Sequence, residues 1–180
     1  MNQNQLSLFA SSKEEHASEV NQSHQPAATS HHWQLFIDGA SRNNPGQAGA
    51  GIYILKDGKE ALRQGFFLGI KTNNEAEYLA AILGLFFIEK QFNASDRLTV
   101  ITDSLLVVRQ LDGVFKVRKK ELFPLYQLAH SIATACKATI THVLRHHNVQ
   151  ADAMANEGID KRIMVPHDFI QRLKHHGITL

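Results

Sequence analysis

The chain has 180 residues, of which 43% are hydrophobic, and its formal net charge is +2. These values suit one ordinary domain with a buried core, and the charge alone does not indicate a nucleic-acid-binding protein. The single cysteine, Cys136, has no partner for a disulfide, which suits a reducing compartment. No apolar run is long enough to span a bilayer, and no charged-then-apolar leader opens the chain. We therefore expect a soluble, cytoplasmic protein with no membrane partner.

Residues 1–32 differ in composition from the rest of the chain. They are rich in Gln, Ser, His, Asn and Ala, and they carry one basic and three acidic residues, a net charge of −2. The remaining residues therefore carry +4, which mildly favours a polyanionic partner. The composition of residues 1–32 predicts a disordered tail, and we expect the folded part to begin at Trp33.

The first part of the folded region predicts an antiparallel meander of three strands. The apolar segments that predict these strands are 33–38, 49–55 and 62–68. A turn at residues 56–59 joins the second strand to the third. Helical periodicity follows, and Asn73 or Asn74 is expected to cap that helix, which would lay one face on the sheet.

Strands and helices alternate in the second part. The fully apolar segment 98–102 predicts a central strand. The elements expected after it are helices at 104–111 and 121–136, a strand at 139–144, and helices at 149–158 and 168–174. We expect the last of these to pack on the domain. Three meandering strands followed by crossover connections predict an α/β fold, with helices packed on a mixed five-stranded sheet.

Four acidic residues lie in distinctive local motifs. Asp38 and Asp103 end predicted strands, whereas Glu77 and Asp152 lie near the starts of helices. Each has an ordinary alternative, such as an Asp-Gly turn for Asp38 or a helix N-cap for Asp103. Glu77 borders the buried stripe of its helix, so we favour it over Glu75, which is expected at the surface. If the fold gathers the four, their oxygens repel one another too strongly to stay ionised without hard divalent cations.

The segments around these acids resemble one known family. The strings DGASRNNPG, TNNEAEYLAAILGL, VITDSLLVVRQL and HVLRHHNVQADAMAN resemble ribonuclease H of type 1, in order and at suitable spacing. The resemblance covers about residues 33–159. It implies a sheet of order 3-2-1-4-5, with a catalytic domain at 33–160 and a C-terminal extension at 161–180.

The resemblance also implies an activity. The family cleaves the RNA strand of RNA–DNA hybrids with two Mg²⁺ (or Mn²⁺) ions and leaves a 5′ phosphate on the product. Its four catalytic metal ligands fall on Asp38, Glu77, Asp103 and Asp152. Residues that contact the hybrid, in the minor groove or at a phosphate of the DNA strand, fall on Ser41, Arg42, Asn43, Asn44, Thr72, Asn73 and Asn74. Helix capping is the alternative role of Asn73 and Asn74.

The chain departs from the family pattern in two places. The long basic protrusion of many members is short here, although a basic cluster remains that could bind the duplex backbone: Lys116, Arg118, Lys119 and Lys120. The loop before Asp152 is compact, and His146 or His147 could assist product release there. The more ordinary interpretation is that both are surface histidines.

A second signal lies in the N-terminal tail. The pentapeptide QLSLF places Gln5, Leu6, Leu8 and Phe9 in an otherwise polar segment. It closely resembles the motif that binds the bacterial sliding clamp. A disordered segment gains nothing from such an apolar cluster unless a partner buries it. We expect residues 5–9 to bind the clamp, with the rest of the tail as a tether.

The leading hypothesis is therefore a monomeric, clamp-tethered ribonuclease H. One alternative is a hybrid-binding module without useful turnover, and the presence of all four acids argues against it. Another is a different nuclease on the same fold, such as a junction resolvase, because a fold does not fix a function. The asparagines expected in the minor groove favour hybrids over junctions.

Overall fold

A computed structural model of the protein describes residues 30–180 and contains one five-stranded sheet. Its strands are β1 (His32–Arg42), β2 (Gly46–Lys56), β3 (Lys59–Lys71), β4 (Arg97–Thr102) and β5 (Thr139–His142). The sheet order is β3-β2-β1-β4-β5, which confirms the predicted order. Strands β1 to β3 are antiparallel, whereas β4 and β5 run parallel to β1 and to each other.

Five α-helices connect and cover the strands. They are α1 (Asn73–Glu89), α2 (Leu105–Leu111), α3 (Phe123–Ala135), α4 (Val149–Lys161) and α5 (His167–His175). Short 3-10 turns precede α3 and α4. Every predicted strand and helix is present, and α5 packs on the domain as expected, with Phe169 and Leu173 buried. Within residues 30–180, no helix has the length and apolar character needed to cross a lipid bilayer.

Strand β1 is longer than its apolar run predicted, and this corrects the position of Asp38. Parallel pairing with β4 stops at Phe36, but antiparallel pairing with β2 continues from Asp38 opposite Gly51 to Arg42. Asp38 therefore lies inside β1 rather than at its end. Asp38 lies just past Phe36, the last residue of β1 that pairs with β4, so no strand pairs with that side of β1 at Asp38.

The cap of α1 is Thr72, so the prediction that Asn73 or Asn74 caps the helix is wrong. The Thr72 hydroxyl accepts a hydrogen bond from the Glu75 N–H, and the Glu75 carboxylate accepts one from the Thr72 N–H. This reciprocal pair is a capping box, and it satisfies two backbone donors at the helix start. Glu75 is thus part of the cap and only partly exposed.

Helix α1 is buried almost all round, rather than on the single face predicted. Every residue from Ala76 to Phe86 is buried. The sheet covers one side of the helix and α3 covers the other, and side chains of α5 contact its C-terminal part. Phe86 of α1 meets Phe169 of α5 edge to face, with ring centroids 5.4 Å apart. Because α1 lies in the centre of its helical layer, it can place a buried side chain at the edge of the sheet.

Helix α4 packs on the opposite face of the sheet, across β2 and β3. The contact is close because β2 has a glycine where the helix crosses it. A Cβ on Gly51 would lie 1.8 Å from the Ala151 carbonyl oxygen and 2.5 Å from the Ala155 nitrogen. Gly51 is also the β2 residue opposite Asp38, so this contact sets the distance between α4 and Asp38.

Replacing Gly51 by alanine should therefore push α4 away from the sheet. We expect Gly51→Ala to lower the free energy of unfolding by about 3 kcal/mol, measured by chemical denaturation, because backbone atoms cannot yield as a flexible side chain can. The control is Ala153→Ser on the exposed side of α4, which should cost about 0.5 kcal/mol. Equal losses for the two variants would contradict this account of the packing.

Candidate active site

Asp38 and Glu77 meet where the start of α1 approaches β1. The approach requires glycine at position 39, because a Cβ there would lie 2.1 Å from the Glu77 nitrogen. The Gly39 N–H donates a hydrogen bond to Glu77 Oε2 at 3.2 Å. Asp38 is 6% and Glu77 7% exposed, so both carboxyl groups are buried at the edge of the core.

Asp103 follows β4 and reaches the same region from the neighbouring strand. It is not the N-cap of α2, which corrects one alternative from the sequence, since that position belongs to Ser104. Its Oδ1 instead accepts a hydrogen bond from the Asn148 side-chain amide at 2.9 Å. The carboxylate is thus held by a side chain 45 residues away in sequence.

Asp152 lies in the first turn of α4, and its N–H donates to the Asn148 carbonyl at 3.1 Å. Its side chain forms an ion pair with Arg145, from the 3-10 turn before the helix. The Arg145 side chain is 77% exposed and that of Asp152 27%. The pair therefore lies at the open side of the site, where solvent weakens its contribution to stability.

The buried acids are protonated more easily than ordinary carboxyl groups. Burial, followed by the charges of Asp103 and Asp152, raises the pKa of Asp38 from 3.8 to about 7. Burial, followed by the charges of Asp38 and Asp103, raises the pKa of Glu77 well above its ordinary value. Arg145 acts in the opposite direction on both pKa values. The site therefore has an excess of negative charge that the protein only partly balances.

Three of the four acids line one open cleft. Its lining comprises Asp38, Gly39, Ala40, Ser41, Arg42, Asn73, Glu77, Asp103, Arg145 and Asn156. Asp152 lies beside the cleft, near enough for its charge to raise the pKa of Asp38. Among residues 30–180, no three or more His, Cys, Asp or Glu side chains are already arranged as a metal cage. The Asp152 carboxylate is held in its ion pair with Arg145.

The polar rim of the cleft joins the loop after β1 to the start of α1. Asn44 Oδ1 accepts a hydrogen bond from the Asn73 N–H at 3.0 Å. Ser41 Oγ lies 2.7 Å from the Lys71 carbonyl oxygen, to which it donates. The side chain of Arg42 forms an ion pair with Asp160 on α4. The rim residues named from the sequence thus share one surface, although Arg42 already has an acidic partner.

The remaining sequence-predicted residues lie further out or outside the described residues. Asn43 is exposed and has a left-handed backbone conformation, with φ of 68°, and Asn74 is half-buried on α1. Lys116 and Lys119 are exposed in the segment between α2 and α3. His146 and His147 are exposed beside Arg145, with ring centroids 4.0 Å apart. The clamp-motif residues Gln5, Leu6, Leu8 and Phe9 lie outside the residues that the structure describes.

Two residues whose side chains contact the acids were not selected from the sequence. Arg145 was read only as part of a compact loop, and Asn148 only as part of the motif around Asp152. A basic residue seven positions before Asp152 is the signal from which a counter-charge could have been predicted. No comparable signal marks Asn148, because its two side-chain acceptors are Ile37 and Asp103, distant in sequence.

Comparison with known proteins places this architecture in a family. The model of a family described as reverse transcriptase-like matches residues 36–158, which include all four acids. The chain belongs to the reverse transcriptase-like family. Within it, the chain is 38% identical over 127 residues to ribonuclease HI of Halobacterium salinarum, covering 69% of this chain and 63% of that protein. The chain therefore spans less than two thirds of that relative.

Solved structures of family members share the fold. RNase H1 from the halophilic archaeon Halobacterium salinarum superimposes with a TM-score of 0.67 at 35% identity, over 72% of this chain and 98% of that one. LC11-RNase H1, in complex with an RNA/DNA hybrid, gives a TM-score of 0.65 at 33% identity, over 72% and 97% of the two chains. The five-stranded sheet with its flanking helices is thus the ribonuclease H fold.

The raised pKa of Asp38 predicts a pH-dependent cost to this family member's stability. Between pH 3.8 and about 7, folded Asp38 keeps a proton that the unfolded chain releases, so stability falls as the pH rises. In EDTA, we expect Asp38→Asn to be more stable than the wild type at pH 8 by up to roughly 4 kcal/mol, and little different at pH 4. Thermal and urea unfolding would measure both.

The surface substitution Asp112→Asn removes the same charge away from the cleft and serves as the control. It should change the free energy of unfolding by less than about 0.5 kcal/mol at either pH. If Asp38→Asn changed the free energy of unfolding equally at pH 4 and pH 8, burial would not raise the pKa of this carboxyl group.

Proposed function

We propose that the protein is an endoribonuclease that cleaves the RNA strand of RNA–DNA hybrids. The observation that carries the proposal is the convergence of acidic side chains from β1, α1 and the end of β4 on one open cleft. The proposal is supported by the relative named ribonuclease HI and by the similar fold of LC11-RNase H1, whose structure contains an RNA/DNA hybrid.

The acids fit a hard divalent cation such as Mg²⁺, with Mn²⁺ as a substitute. Their donor atoms are all oxygen, and burial, followed by the charges of neighbouring acids, raises the pKa values of Asp38 and Glu77. We propose that Asp38, Glu77, Asp103 and Asp152 hold two such ions. When bound, the ions would activate water and stabilise the leaving oxygen. Asp152 would have to leave Arg145 to join the set, which the exposed position of that ion pair permits.

The rim of the cleft is proposed to bind the hybrid. Asn44 and Asn73 are already linked, and their free polar groups would face the minor groove, where RNA exposes its 2′-hydroxyl. Ser41, Arg42, Asn43 and Asn74 extend this surface. Thr72 and Lys71 are proposed to meet a phosphate of the DNA strand at the start of α1. Glu75 competes for the same Thr72 hydroxyl, so binding there would require the capping box to open or share its donors.

The exposed basic segment between α2 and α3 is proposed to add contacts with the duplex backbone. Lys116 and Lys119 are its leading residues, and exposed Phe115 lies beside Lys116. We keep His146 and His147 as proposed aids to product release, since both are exposed near Arg145. The contacts of Lys116 and Lys119 with the duplex backbone would be electrostatic and sensitive to salt.

Tethering to the replication sliding clamp is a separate part of the proposal. The motif at Gln5, Leu6, Leu8 and Phe9 supports it through its match to the clamp-binding pattern. A tether between this motif and the nuclease domain would raise the local concentration of the nuclease at replicating DNA. We propose a monomer that acts in the cytoplasm, where the clamp and the hybrids are found.

Substrate and acid dependence would test the nuclease assignment together. With Mg²⁺, labelled RNA–DNA should be cut in its RNA strand, whereas DNA–DNA and RNA–RNA duplexes should not. Asp103→Asn should reduce kcat at least about 10³-fold, because it removes a charged ligand while keeping the side-chain shape. Asp112→Asn is the matched control and should cleave like the wild type.

Each alternative function gives its own pattern in that assay. Hybrid binding without cleavage would indicate a binding module, and cutting of four-way junctions would indicate a resolvase. Cleavage that survives Asp103→Asn would refute the proposed chemistry.

Clamp binding can be tested with the tail alone. A peptide of residues 1–12 should bind the bacterial clamp with a Kd in the micromolar range, measured by fluorescence anisotropy, since a short motif buries few side chains. A peptide with Leu8→Ala and Phe9→Ala, which keeps the charge, should lose at least about tenfold in affinity. No binding of the wild-type peptide at hundreds of micromolar, as an order of magnitude, would remove the tethering proposal.

A further inference from the structure

Asn148 makes hydrogen bonds to Asp103, to the backbone of Asp152 and to the residue that precedes Asp38. It is 1% exposed, and its Nδ2 donates to the Ile37 carbonyl and to Asp103 Oδ1, both at 2.9 Å. Ile37 directly precedes Asp38 on β1. The main-chain carbonyl of Asn148 accepts the N–H of Asp152 at 3.1 Å. One buried residue therefore connects β1, the end of β4 and the first turn of α4.

The orientation of this amide follows from its partners. A side-chain amide nitrogen has two hydrogens, and the two acceptors around Nδ2 use both. Turning the amide over would point Oδ1 at a carbonyl and a carboxylate, which are both acceptors. The arrangement with Nδ2 toward Asp103 is therefore the one that the network permits.

The other end of the amide gains no such partner. Asn148 Oδ1 is buried, and it has no hydrogen-bond partner among the described residues. A buried carbonyl oxygen without a partner costs free energy, so packing alone does not account for an amide at this position. What the amide supplies is a pair of N–H donors, one of them directed at a carboxylate in the cleft.

We propose that Asn148 is a positioning residue that fixes the Asp103 carboxylate for metal binding. Because Oδ1 accepts the hydrogen bond from Asn148, the carboxylate cannot rotate freely, and its remaining lone pairs keep a fixed direction for a cation. The bond to Ile37 fixes the same amide relative to the strand that carries Asp38. This inference rests on the proposed function, and it adds a residue that orients a ligand without touching the metal ion or the RNA.

The test compares Asn148→Ala and Asn148→Leu with the wild type in the full-length protein. Asn148→Leu keeps the approximate shape without a donor and without an added charge, and Asn148→Ala removes the group. Mg²⁺ binding is measured without nucleic acid by NMR titration, and hybrid cleavage is measured in parallel. We expect Mg²⁺ to bind about tenfold more weakly in both variants, with kcat reduced at saturating hybrid and KM changed less than threefold.

A stability-matched control separates positioning from a general structural role. Leu128→Ala truncates a buried side chain of α3, outside the cleft, and should lower Tm as much as the Asn148 variants or more. Its Mg²⁺ affinity and kcat should equal those of the wild type at temperatures where it is folded. Unchanged Mg²⁺ affinity in the Asn148 variants, or an equal loss in Leu128→Ala, would overturn the inference.

A measurement on the wild type covers the case in which the variants fail to fold. The two Nδ2 hydrogens of Asn148 should exchange slowly with solvent, and their resonances should shift when Mg²⁺ binds. The side-chain amide of Gln110, also buried but bonded to Tyr78, should not shift. Asn148 resonances that stay fixed while Mg²⁺ binds would refute positioning. If the wild type bound no Mg²⁺, this inference and the metal-dependent function would fall together, whereas cleavage with unaffected variants would remove the inference alone.

Discussion

Repulsion between acidic side chains is the constraint on which the cleft depends. Asp38, Glu77 and Asp103 come from three separate elements, and the burial of the first two prevents water from screening their charges. The backbone keeps them together: Gly39 lets α1 approach β1, and parallel pairing sets the end of β4 beside Asp38. Core packing therefore provides the free energy that holds like charges at close range, and Arg145 offsets only part of the repulsion.

Apolar runs and hydrophobic periods in the sequence were sufficient for the strands and the helices, whereas the strand order came from the resemblance to a known family. The apolar pattern was less reliable at the ends of elements, where pairing rather than hydrophobicity decides. Asp38 seemed to end β1 because the apolar run stops there, yet pairing with β2 carries the strand to Arg42. Thr72, Asn73 and Asn74 are all good caps, and only the reciprocal hydrogen bonds between Thr72 and Glu75 show that Thr72 caps the helix.

Long-range polar contacts are the part of the site that local patterns do not reveal. Asn148 bonds to atoms 111 and 45 residues away, and nothing in its neighbours in sequence indicates either partner. Arg145 is different, since it and Asp152 lie on adjoining turns and a short loop already brings them close. Side chains that orient other side chains thus require coordinates, whereas acids that follow apolar runs or begin helices can be selected from the sequence.

The segment after α4 also supports the site from a distance. The Phe67 N–H donates to the Ile163 carbonyl at 2.7 Å, which ties this segment to the edge strand β3. Phe169 and Leu173 are buried in the same core as α1, and Arg172 forms an ion pair with Glu89 at the end of that helix. Because Glu77 lies at the other end of α1, packing of α5 helps to hold the helix that carries this acid against the sheet.

The energetics of the cleft bear on the choice between a nuclease and a module that only binds hybrids. A rim made of Asn44, Asn73 and Thr72 could contact a duplex without any buried acid. In such a module, a neutral residue at Asp38 or Glu77 would relieve repulsion and increase stability near neutral pH. The acids therefore have a cost that hybrid binding does not require. Under the proposed function, cation binding would account for that cost, because it would convert the same repulsion into affinity for the ions that phosphodiester hydrolysis needs.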